Sequence, residues 1–286
     1  VKAVLSFRFP TRRTILFAAA MAFAASGGEP ASAQGRLEAR YVASLAGVPL
    51  GRVTWVVEVT EDQYAASGSG GTTGIIQVIT SGHGTATAQG QVAGGRLIAS
   101  SYNVQITTDR KTDEVRMAFA GGAVKQAHAE PPLDPAPDRV PVTDAHRRGV
   151  VDPMTAVLIS VPGKGDPISP EACNRTLPIF DGRGRFDLAL SFKRFDRVRA
   201  QRGYDGPVVV CRVMFQPIAG HRPSRPAIRY LMATRDIEVW LAPVMGTRVL
   251  VPFRIQVPTA LGPAVLEATD FVSNPQPRRP LNARTH

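Results

Sequence analysis

The residues best suited to chemistry are few. Cys173 and Cys211 are the only cysteines in a chain of 286 residues. Two thiols with no C-x-x-C spacing, no second pair and no suitably spaced histidine point away from a metal site, leaving a disulfide or two buried free thiols. His83, His128, His146, His221 and His286 are scattered, and the sequence pairs none of them with a nucleophile, so they read as surface or structural histidines. "FDGRGRFDL" gathers Asp181, Arg183, Arg185 and Asp187 around a turn. An anion site is one reading; the simpler one makes Asp181-Gly182 a tight reversal and turns the arginines to water. "GSGGTTG" lacks dinucleotide-loop spacing and reads as a flexible turn. No H-E-x-x-H, G-x-S-x-G or Walker loop is present. The expectation is therefore a non-enzymatic protein with no catalytic residue, no metal and no cofactor. A hydrolase would need folding to bring a histidine within hydrogen-bond reach of a serine or aspartate.

The elements that must carry any site are strands. Leu37, Ala39, Tyr41, Ala43 and Leu45 alternate with polar neighbours, as do Val53, Trp55, Val57 and Val59. The same period of two recurs at Tyr102–Ile106, Val115–Phe119, Phe186–Phe192 and Val249–Val257. Such alternation predicts half-buried antiparallel strands with one apolar face. "AGVPLG", "AGGR", "DRKTDE", "AGG" and "YDGP" supply residues for the reversals. Helix signals are weak: "TTGIIQVITSG" could begin at Thr72 or Thr73, and "VVDPMTAVLISV" has Asp152 as N-cap with Pro153 at the first helical position.

"EPPLDPAPDRVPVTDAHRRG" breaks the pattern with five prolines. It reads as a connector, residues 131–149, between halves 34–130 and 150–273 of one β-rich domain, with a disordered basic tail over 274–286. The fold class is all-β with minor α: a predominantly antiparallel sheet, open or closed and barrel-like, with one or two short helices. Aromatics are only 7% of the chain, and small residues crowd Ala65 to Gly95, so the core is thin there.

Residues 1–33 read as a signal peptide. Lys2, Arg8, Arg12 and Arg13 precede an apolar run, Ile15 to Ala25, which is too short to span a membrane. Ala31-Ser32-Ala33 then fits cleavage between Ala33 and Gln34. Val1 in place of methionine reads as a start codon other than ATG. The expected location is the periplasm by the general secretory route, with "TRRTIL" leaving the twin-arginine route as the alternative. An oxidising compartment favours a Cys173–Cys211 disulfide, and the mature form should not span the membrane.

The formal net charge of +11 suits an anionic partner. Export directs that reading to lipid or an anionic envelope polymer, with no nucleic acid. A long sheet must bury its apolar face in a barrel, in a sandwich or around an apolar ligand. The function expected is binding or handling of an apolar or amphipathic envelope component such as a lipid. Trp55, Val57, Tyr102, Phe119, Phe186, Leu190 and Phe253 are the candidate groove residues, being large and on apolar strand faces. The alternative is an envelope assembly or scaffolding protein that docks a protein partner.

"LAGVPLGRV", "VVDPMTAVL", "FDGRGRFDL", "YDGPVVVCRV" with "PIAG", and "WLAP…RVLVPFRIQVPTALG" occur in that order. They resemble the bacterial family called domain of unknown function 3108, over most of residues 36–272. The resemblance implies an exported, mostly antiparallel β protein, an open barrel akin to envelope lipid carriers, and it carries no catalytic residue across.

Overall fold

The computed structural model describes residues 34–73 and 81–276. Residues 1–33, 74–80 and 277–286 lie outside the described residues. So, with them, do the expected signal peptide and its Ala33, the body of the expected "TTGIIQVITSG" helix, and His286.

Among the described residues, fifteen strands form one sheet. β1 (Gly35–Leu45), β2 (Val48–Val59), β3 (Gln63–Thr72), β4 (Gly82–Ala93), β5 (Arg96–Thr108), β6 (Thr112–Ala120) and β7 (Ala123–Glu130) run as an antiparallel meander. Short reversals allow this. Gly94 and Gly95 turn β4 into β5, and Gly121 and Gly122 turn β6 into β7, all four with positive φ that glycine adopts without strain. Thr72 lies in β3 rather than at a helix cap.

The second half returns to the first. β15 (Ala264–Pro275) pairs antiparallel with β1, so the two ends of the described chain are neighbours. Asn274 and Pro275, expected in the tail, are thereby held in the ladder against Arg36 and Gly35. From β15 the order continues through β14 (Val249–Val257), β13 (Ile237–Pro243), β12 (Asp205–Ala219), β10 (Arg185–Arg199) and β9 (Arg175–Phe180). Two-residue strands β8 (Ile159–Ser160) and β11 (Arg202–Gly203) add to β14 and β15. "YDGP" is not itself the reversal: Ala200 donates to the Tyr204 carbonyl at 2.8 Å, and Asp205-Gly206-Pro207 already belong to β12.

The ladder does not close, because β7 and β9 end it and do not pair. The proline-rich connector fills the seam. Ala123 bridges Arg148, and three residues later Val151 bridges Ile179 of β9. The Gly149 amide donates to Gly122, and the Phe180 amide to Val151. Arg183 adds a clamp, donating to the carbonyls of Glu130 and Pro131 at the end of β7. Arg185 donates to Asp187 at 2.6 Å with its side chain only 12% exposed. The arginines of "FDGRGRFDL" therefore do not face water as expected; they join the sheet's two edges or pair along the strand. The Asp181 reversal itself is present, its Oδ1 accepting from the amides of Arg183 and Gly184.

Two further features depart from simple alternation. Six consecutive residues of β13, Ile237 to Ala242, are buried, so both faces of that strand are covered. The reason is a layer from residues 159–173, where Ile159, Val161, Ala172 and Cys173 pack on Val209, Cys211, Leu241 and Leu250. Cys173 and Cys211 are bonded within that layer, with Cα atoms 5.3 Å apart. Cys211 is in β12, but Cys173 follows a one-turn helix and is not in a strand. Second, an exposed helix, α2 (Pro226–Ala233), lies beside β12 and was not foreseen. Pro226 at its first turn was the available signal. The foreseen helix is a single turn, α1 (Pro153–Ala156), capped by Asp152.

Candidate ligand-binding cavity

Register builds the cavity. The apolar face of the meander forms rows across the strands. One row runs Trp55, Gly68, Ala86, Val104 and Val115; the next runs Val57, Ala66, Ala88, Tyr102 and Met117. On the other side Val53, Gly70, Gly84 and Ile106 align. The inward positions of β3 and β4 are therefore glycine and alanine, while their neighbours on β2 and β5 are large. A strip with almost no side chains between two bulky strands leaves a trough that the sheet cannot fill by itself.

α1 covers the trough without filling it. Met154 and Val157 face it, together with Trp55, Tyr102, Pro252 and Leu266 from around the sheet, and they line an open cavity of about 690 Å³. Its surface is overwhelmingly apolar, and it opens beside Ile106, which is 47% exposed. This size and character suit a small organic ligand. Exposed Arg52 and His83, on the other face of β2 and β4, border it.

Asp152 fixes the cover. Its Oδ1 accepts from the amides of Met154 and Thr155, and its Oδ2 from the Thr155 hydroxyl at 2.5 Å. Thr155 Oγ1 in turn lies 2.7 Å from the Tyr64 hydroxyl on β3. Asp152 is fully buried. Burial raises its pKa, and the hydrogen bonds from Thr155 and Met154 only partly offset that. Burial also raises the pKa values of the Tyr64 and Tyr102 phenols.

Of the seven candidate groove residues, Trp55 and Tyr102 line this cavity. Val57 and Phe253 are packed in the core shared by β1, β2 and β12–β15. Phe119 lies in the β5–β7 core, and Leu190 under the disulfide layer. Phe186 is elsewhere, its ring 5.5 Å from Phe215 in a separate groove with Arg183 and Arg222. Sequence reasoning missed the floor itself. Its signal was small residues at alternate positions, Ala66-x-Gly68-x-Gly70 and Gly84-x-Ala86-x-Ala88.

The histidines are not gathered. His83 borders the cavity; His146 Nδ1 accepts from the Thr143 amide at 3.0 Å; His128 is in β7. His221 has a buried Nδ1 with no partner among the described residues, and burial lowers its pKa. Among the described residues no three metal-ligating side chains come together, and no helix is long and apolar enough to cross a membrane.

Fold and cavity define a barrel-like, mainly antiparallel β protein with an open apolar cavity. The chain belongs to the family described as "Protein of unknown function (DUF3108)", whose model matches residues 40–269. No curated protein matches the sequence. Among solved structures it is similar to a beta-barrel-like protein of domain of unknown function DUF1849 from Brucella abortus. The identity there is 8%, over 85% of this chain and 98% of that one, with a TM-score of 0.48.

Proposed function

We propose that this protein binds an apolar or amphipathic molecule, a lipid of the cell envelope, in the chamber between the β3–β4 floor and α1, and that it works without catalysis in the periplasm. The observation that carries the reading is the glycine and alanine floor. A sheet that needed only stability would place large side chains there, since a gap forfeits contacts and destabilises the fold. An acyl chain restores those contacts. The bordering Arg52 and His83 give an anionic or polar head a place at the opening. Native mass spectrometry of protein purified gently from its own periplasm tests the reading. A lipid-sized adduct that is lost on delipidation is expected; a clean apo mass would count against it.

A second reading, docking of an envelope protein partner, has one observation in its favour. α2 stands outside the sheet with Tyr230 and Met232 41% and 45% exposed, beside Arg225 and Arg229. It predicts a co-purifying protein that is lost when those two arginines are changed to glutamate.

A further inference from the structure

The chain has two tryptophans, and they are treated differently. Trp240 Nε1 donates to the Asp196 carboxylate at 3.0 Å, with Arg194 and Arg254 over its ring. Trp55 Nε1 is buried and donates to nothing among the described residues. The tyrosines repeat the contrast. Tyr41 donates to the Pro252 carbonyl, Tyr204 to the Pro207 carbonyl, and Tyr64 shares a hydrogen bond with Thr155. Tyr102 donates to no acceptor among those same residues, but its hydroxyl is not fully buried. Trp55, Tyr102 and Tyr41 all line the cavity, and of the three only Trp55 carries a buried donor with no partner among the described residues.

Their placement is specific. A Cβ at Gly68 would lie 3.6 Å from Trp55 Cδ1, the ring atom bonded to Nε1, and 3.6 Å from Met154 Cε. The N–H edge of the indole therefore meets the floor of the chamber, beside the flexible methionine of the cover. Tyr102 stands one row away, three strands across, about 14 Å along the sheet. A buried donor without an acceptor costs roughly 1–3 kcal/mol, and buried indole and phenol groups ordinarily find partners.

The acceptor that would satisfy Trp55 must be neutral. The basic side chains bordering the chamber, Arg52 and His83, are both exposed. The charged group nearest the cover is the buried Asp152 carboxylate, whose field reaches Tyr102. A carboxylate drawn into the chamber would lose its water and gain no counter-ion. Resting on the lipid-binding reading above, we infer that the ligand is an acyl ester or amide, its carbonyl oxygen accepting from Trp55 Nε1 and its chain lying on the glycine and alanine floor. A hydrogen-bonding site of this kind discriminates sharply against analogues that lack the bonding group.

The test uses delipidated protein and three probes of matched chain: methyl laurate, laurate and dodecane, each displacing a neutral fluorescent apolar probe. Methyl laurate is expected to bind about tenfold more tightly than either of the others, which corresponds to about 1.4 kcal/mol. Trp55→Phe keeps an aromatic ring and removes the donor; within that variant the advantage of methyl laurate over dodecane should disappear. Wild-type protein gives a second readout that needs no variant. Of two indole N–H resonances, methyl laurate should shift one strongly and dodecane should not. Equal loss for ester and alkane in Trp55→Phe, or a Trp55-dependent preference for laurate, overturns the inference while lipid binding stands. If none of the three probes binds, the lipid-binding reading fails with it.

Discussion

Gly68 stands directly opposite Trp55 across the β2–β3 ladder, and this pairing of the smallest residue with the largest sets the shape of the chamber. A Cβ at Gly68 would make only ordinary contacts, the nearest at 3.5 Å. The missing side chain is thus not required by a close backbone approach. It leaves space.

Filling that space should separate binding from stability. Ala86 is next in the same row, between Gly68 and Val104. Ala86→Leu is expected to keep or raise the unfolding midpoint, because the added carbons enter a gap at roughly 0.8 kcal/mol per buried methylene. It should weaken uptake of an apolar probe at least tenfold. Urea unfolding and probe titration on one sample read both quantities.

Asp152 gives a prediction in pH. Its pKa is raised in the folded state by burial, so between its unfolded value, about 3.9, and the higher folded one the native state holds more protons. This group's contribution therefore falls as pH rises through that window. Asp152→Asn keeps an acceptor for the Met154 and Thr155 amides and does not titrate. The stability of wild type minus that of the variant should be larger at pH 4 than at pH 8. Asp152→Ala removes the cap and should cost about 2 kcal/mol at pH 8 and more at pH 4, because alanine does not titrate either. Urea midpoints at the two pH values check both.

The disulfide pins the 159–173 layer onto β12. Closing the loop between Cys173 and Cys211, 38 residues apart, contributes about 4 kcal/mol on the chain-entropy model. Cys173→Ser with Cys211→Ser should lower the unfolding free energy by about that amount. Both sulfurs are buried, so native protein should resist dithiothreitol until denaturant is added. Gel mobility with and without reductant follows this directly.

The seam should be sensitive at Gly182. Its φ is +92°, and a Cβ there would collide with Val115 Cγ1 of β6. Gly182→Ala is expected to destabilise by roughly 1–3 kcal/mol. Amide exchange should rise first at the bridges made by Arg148 and Val151, since these join β7 and β9. Uniform exchange across the sheet would contradict that placement.

Much of the sheet was legible because burial on one face leaves a period of two in the sequence. Leu37, Ala39 and Tyr41 are buried as the alternation predicts, and so are Val115, Met117 and Phe119. The reading failed where burial had another source. β13 has its second face covered by a layer whose own residues, 159–173, follow no period. Arg183 and Arg185 look solvent-bound in sequence, but their partners at Glu130, Pro131 and Asp187 include residues some fifty positions away. The chamber lay between these cases. Its thin floor shows in Gly68, Gly70, Gly84 and Ala86, yet which large residues flank it depends on register. Only Trp55 and Tyr102 of the seven chosen by size line it.

The central claim is that an envelope amphiphile occupies the chamber, and a crystal structure of protein purified without delipidation tests it most directly. The account predicts continuous density over Gly68 and Ala86, with an oxygen within hydrogen-bond distance of Trp55 Nε1. A chamber holding only disordered water, or a ligand seated elsewhere on the sheet, would contradict it.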